Sequence, residues 1–181
     1  MQFQTRAHID ELRARGYEEC NLYEPSPDRL KRAVELIDEI TEAFKDVRLG
    51  VGVGLFEGQA IDDYESDGAR ALMRSRDEKE AWWNISSKHL NACHSSLSYM
   101  DALGARFHLP AFICCDLRGE LDFELEFKLS RVDGTGKNKF SLLSPEQREL
   151  VAVYLEFLAD DVDAEFSRKE ILEALNDFWR A

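Results

Sequence analysis

Twice in this chain a Ser-Pro pair is followed by apolar residues at helical spacing, and no other feature constrains the fold as much. In SPDRLKRAVELIDEITEAFKDV, Ser26 is placed to cap and Pro27 to take the first helical position, where its missing N–H is no loss. Leu30, Val34, Ile37, Ile40 and Phe44 recur every three or four residues, so they are expected to share the buried face. In SPEQRELVAVYLEFLADD, Ser144 caps, Pro145 opens the helix and Gln147 stands at the capping-box position. Leu150, Val151, Val153, Tyr154, Leu155, Phe157 and Leu158 cover more than one face, which marks a central helix.

Three further segments read as helical. DEKEAWWNISSKHLNACHSSLSYMD places Asp77 and Glu80 at capping-box spacing, with Trp82, Ile85, His89, Cys93, Leu97 and Met100 as its stripe and a break expected near Ser86 and Ser87. SRKEILEALNDFWRA repeats the box with Ser167 and Glu170. A shorter segment, Thr5 to Arg15, is stopped by Gly16 and reads as a peripheral helix within residues 1–20. Phe123, Leu125, Phe127 and Leu129 instead alternate with polar residues, the period of a half-buried strand. With DGTGKN as a turn and KFSLL returning, a short β-hairpin near 123–143 is expected, in preference to one helical turn. The fold class is therefore mainly α, α+β at most, with residues 1–181 forming one helical domain.

Charge narrows the partners. The net charge is −13, from 23 basic and 36 acidic residues, spread along the chain. Nucleic acid and anionic membrane both require clustered Lys and Arg, so neither is expected, whereas a basic protein is. The N-terminal stretch has no apolar core of a secretory signal, and LPAFICC is far too short to span a bilayer. Cys20, Cys93, Cys114 and Cys115 form no CxxC pair, which suits reduced thiols in the cytoplasm.

The candidate sites each have a plain structural alternative. Gly50, Gly52, Gly54 and Gly58 follow a helix rather than a strand, so they read as a mobile connection and not a dinucleotide or phosphate loop. Asp63, Glu65, Asp67 and Gly68 resemble the opening of a calcium loop, yet its twelfth position, which needs a bidentate Glu, is Arg74. A solvated acidic turn with Ser66 or Asp67 as helix cap is the preferred reading. His89 and Cys93 share a helix face, as zinc ligands would, but no further ligand is implied and no metal is assigned. No nucleophile motif and no cofactor motif is present, so no catalytic residue is assigned.

The least ordinary passage is SLSYMDALGARFHLPAFICCDL, where Asp101, Arg106 and His108 stand in otherwise apolar surroundings. Gly104 reads as the end of a helix and Pro110 as the mark of an extended crossing. Asp101 and Arg106 are then expected to form an ion-paired clasp around that turn, because a buried charge demands a partner. The same string resembles a bacterial family of unknown function with an Asp-x-x-Gly-x-Arg-Phe-x-Leu-Pro-Ala core. The resemblance is carried by Trp82, Asp101, Gly104, Arg106, Phe107, Leu109, Pro110, Ala111, Leu143 and Gln147, and spans roughly residues 30 to 160. It implies family membership but no chemistry.

Three functions fit. The first is a non-catalytic acidic cytosolic binding protein, such as an immunity-type inhibitor of a basic toxin domain, using Asp62, Asp63, Glu65 and Asp67, then Asp160, Asp161 and Asp163. The second is an enzyme or small-ligand protein with a pocket at Arg106 and His108, the arginine as anion anchor and the histidine as acid–base group. The third is a structural or regulatory subunit.

Overall fold

Helix α1 (Pro27–Phe44) begins as its sequence dictates: Ser26 Oγ accepts from the Arg29 amide at 3.2 Å, and Pro27 fills the first position. The computed structural model describes residues 14–16, 25–132, 138–160 and 165–181. The buried face of α1 is Ala33, Leu36, Ile40 and Phe44. Leu30 and Val34 are instead 48% and 59% exposed. Both sets satisfy helical spacing, and the neighbours that dock on α1 decide between them.

Those neighbours are α6 (Ala102–Leu117) and α8 (Pro145–Ala159). Helix α6 runs where an extended crossing was expected. Asp101 is its N-cap, with Oδ1 accepting from the Gly104 amide at 2.7 Å, so Gly104 sits in the first turn rather than past a last one. Pro110 lies inside the helix. An interior proline costs about 3 kcal/mol, but each large apolar side chain fully buried returns about 1.5–3 kcal/mol. From Gly104 to Leu117 every residue except Arg106 is buried, Phe107, Leu109, Phe112 and Ile113 completely. Burial on all sides outweighs the lost backbone bond.

The smaller helices are α2 (Leu55–Asp62), α3 (Asp67–Arg74), α4 (Ser87–Ala92) and α5 (Ser96–Tyr99), with a 3₁₀ turn at Trp82–Asn84. The segment 77–101 is thus broken at Ser86, which caps α4, but it does not start at a local box on Asp77. Asp77 belongs to α2 instead, as described below. His89 is exposed, and Leu90 takes the buried place beside it.

Helix α7 (Glu126–Ser130) replaces the expected strand. Leu125 and Leu129 are buried and stand four apart, whereas Phe127 between them is 39% exposed. The alternation of 123–129 contains a helical spacing as well, and packing on α9 (Glu165–Ala174) selects it. Residues 133–137 of the expected turn lie outside the described residues. Residues 138 and 139 are helical and Phe140 enters the core, so KFSLL makes no return strand, and no strand occurs among the described residues.

The capping box of α8 forms as its sequence requires. Gln147 N donates to Ser144 Oγ, and Ser144 N to Gln147 Oε1, both at 3.1 Å. Helix α9 is already under way at Ser167, so Ser167 and Glu170 are not its start. It ends in a wider π turn, Leu175–Trp179, whose Trp179 Nε1 donates to Leu129 O at 2.8 Å. Most of the Thr5 to Arg15 segment lies outside the described residues.

Candidate functional site

The polar residues of the Asp101–Ala111 string act as fasteners. Asp101 Oδ1 accepts from Gly104 N and also from Val53 N at 3.1 Å, tying the glycine loop to the start of α6. Arg106 does not pair with Asp101. Its Nε donates to Gln147 Oε1 at 3.2 Å, and Gln147 Nε2 donates onward to Ala43 O at 2.9 Å. The expected clasp is therefore replaced by a bond from α6 to α8 and on to α1. Helix α6 continues through Gly104, which carries Arg106 away from Asp101.

Nor is the glycine loop a loose connection. A Cβ on Gly104 would overlap the Val53 carbonyl oxygen, and one on Gly54 would overlap the Asp77 carboxylate. Gly54 is the N-cap of α2 and offers no side chain. Asp77 supplies the missing acceptor, taking the Phe56 amide at 2.7 Å and the Glu57 amide at 3.3 Å. Burial nonetheless pushes the Asp77 carboxyl up.

Two more long-range contacts finish α1. Its last turn has no basic residue; Gln147 Nε2 meets the Ala43 carbonyl, and Trp82 Nε1 adds a second donor, at 3.1 Å, to the Phe44 carbonyl, which also accepts from the Val47 amide at 3.0 Å. Trp82, Asp101, Gly104, Arg106 and Gln147 thus all hold helix ends and crossings.

His108 is fully buried in α6, and its ring faces Phe107 edge-on. Nδ1 donates to Gly104 O at 2.8 Å, which leaves Nε2 as the acceptor. Desolvation holds the imidazole down at about 4, so it is neutral at pH 7. The ring borders a cleft of about 500 Å³ with Phe56, Arg76, Lys79 and His89. Arg106, bonded to Gln147, does not join it there.

The carboxylates Asp62, Asp63, Glu65 and Asp67 surround the turn between α2 and α3. Arg74, the twelfth residue of the calcium-like segment, forms a two-pronged ion pair with buried Glu57, at 2.7 and 2.6 Å. Ser66 is the cap of α3. Asp62 accepts from Gln59, and a hydrogen bond from Tyr99 draws its carboxyl down. Asp63, Glu65 and Asp67 are exposed and form no ion pair among the described residues. At their centre stands Tyr64, 90% exposed and with φ of 55°. No sequence motif marks it, although a bulky aromatic flanked by carboxylates is itself a signal. Asp160 is exposed at the end of α8, and Asp161 and Asp163 lie outside the described residues.

His89 packs edge-on against Phe56 at 5.1 Å, and Cys93 is buried, its thiol pushed up to about 11 by desolvation. Cys114 and Cys115 are buried too, both pushed up to about 12. Among the described residues no three His, Cys, Asp or Glu side chains converge as a metal site would require. No helix among them is long and apolar enough to cross a membrane.

A family of unknown function, DUF6714, matches residues 32–181. The chain belongs to DUF6714. The match extends past residue 160 to the C-terminal helix, so it runs from within α1 through α9 and the Trp179 turn. No curated protein and no solved structure matches the chain.

Proposed function

We propose that this DUF6714 chain is a non-catalytic acidic binding protein of the cytoplasm, whose α2–α3 turn docks a basic protein. An immunity-type inhibitor that covers a basic toxin domain is the specific form of this reading. The observation that carries it is Tyr64: an aromatic side chain 90% exposed, flanked by the exposed carboxylates of Asp63, Glu65 and Asp67. Its left-handed backbone belongs to the close of α2, a Schellman turn in which Tyr64 N donates to Ile61 O at 3.1 Å and Glu65 N to Ala60 O at 2.9 Å, and that turn holds the ring out from the surface. A tyrosine is a strong interface anchor, and the exposed carboxylates of Asp63, Glu65 and Asp67, which form no ion pair among the described residues, would steer a cationic partner toward it.

The test is capture of the basic products of adjoining genes, at low and high salt. Capture should weaken with salt, and it should be lost in Tyr64→Ala and in an Asp63→Lys/Glu65→Lys pair that both fold normally. A partner held equally well by all three proteins would refute this assignment of the surface.

A further inference from the structure

The cleft beside His108 brings together two cations without an ion pair and one buried ring nitrogen without a hydrogen bond. Its three bordering carboxylates are engaged: Asp77 by the amides of Phe56 and Glu57, Glu78 by those of Lys79, Glu80 and Ala81, and Glu80 by Arg48 at 3.4 Å. Its two cations have no carboxylate partner: among the described residues neither Arg76 nor Lys79 forms an ion pair, and the Arg76 guanidinium lies 4.9 Å over the Phe56 ring and donates to Met73 Sδ at 3.4 Å. At the inner wall is His108, whose Nε2 is buried and has no hydrogen-bond partner in the protein. A buried acceptor left unmet costs about 1–3 kcal/mol, and a neutral ring nitrogen takes only a donor.

We propose that this cleft binds a small oxyanion that carries its own O–H, its charge met by Arg76 and Lys79 and its proton shared with His108 Nε2. Hydrogen phosphate and the monoanions of phosphate monoesters have this chemistry, as do small hydroxycarboxylates. A fully deprotonated oxyanion of the same shape lacks the donor that the inner wall requires. The volume, about 500 Å³, lies in the range of small-molecule sites. This binding is separate from protein docking at Tyr64, and either can fail alone.

The experiment uses two matched pairs on the intact protein: inorganic phosphate against sulfate, and glycolate against acetate. Thermal unfolding reads binding, and ¹⁵N-imidazole NMR reads the His108 ring, identified as the signal that a His108→Gln variant lacks. In at least one pair the O–H-bearing member should bind about tenfold more tightly than its partner, the worth of one good hydrogen bond. It should also shift the His108 Nε2 resonance. Phosphate alone discriminating assigns a phosphoryl ligand, and glycolate alone a hydroxy acid. Arg76→Gln and Lys79→Gln, at the rim, should fold normally and weaken binding several-fold. Equal behaviour within both pairs, or an unmoved His108 signal, overturns the proposal.

Discussion

Arg106 Nε meets Gln147 Oε1 at 3.2 Å across 41 positions of sequence, and this bond joins α6 to the first turn of α8. The same oxygen closes the capping box with Ser144 N, and the amide nitrogen of Gln147 reaches Ala43 O. One buried side chain therefore connects three helices. Gln147→Ala should cost about 2–3 kcal/mol, because it leaves buried polar groups unmet. Arg106→Ala should cost about 1–2 kcal/mol, as the loss of a charge-assisted bond at a half-buried site. Urea unfolding of both single variants and the double variant should show a coupling of about 1 kcal/mol. Strict additivity would separate the two residues.

Gly54 and Asp77 are a second such pair. Gly54→Ala places a methyl group on the Asp77 carboxylate and should cost roughly 2–3 kcal/mol, as an overpacked site does. Asp77→Ala removes the only side-chain acceptor at the start of α2 and should cost about 1–2 kcal/mol, the usual worth of an N-cap. Wild-type urea midpoints for both variants would show that the cap is dispensable.

Two buried groups oppose each other in pH dependence. Burial pushes Asp116 up to about 6, beside the Tyr154 hydroxyl at 2.6 Å and near Glu126, and holds His108 down at about 4. For Asp116 the folded value lies above the ordinary 3.8, so its contribution is fully present below that value and is lost as pH rises through about 6. For His108 the folded value lies below the ordinary 6.5, so its contribution is present above that and is lost as pH falls toward about 4. Each shift corresponds to about 3 kcal/mol, so the two slopes nearly cancel in wild type. Asp116→Asn should unmask the histidine, with stability falling more steeply than wild type on acidification between about pH 6.5 and 4. Parallel wild-type and variant curves in a pH series of urea unfolding would contradict this.

What the sequence disclosed and what it hid divide along the distance over which each signal acts. Ser26, Ser66 and the Ser144–Gln147 box are local, with acceptor and amide three residues apart, and all three cap as their spacing requires. Asp77 also looked like a local cap, but the helix it caps lies 20 residues upstream. Gly104 looked like a stop signal, yet its missing side chain serves the close approach of Val53 O, 51 positions away in the chain by residue number. Pro110 looked like a break, and only burial on every side explains the helix through it. The acidic turn was legible as charge. Tyr64 was legible only as an aromatic among carboxylates, because its near-complete exposure follows from where α2 closes.

The most direct measurement is the unfolding free energy of Tyr64→Gly. Tyr64 occupies the left-handed position that closes α2, where glycine is the usual residue, so if its side chain serves docking and not folding the variant should be more stable by about 0.5–1 kcal/mol. It should also lose its basic partner. A Tyr64→Gly protein that is clearly less stable than wild type would make Tyr64 a structural residue and contradict the account.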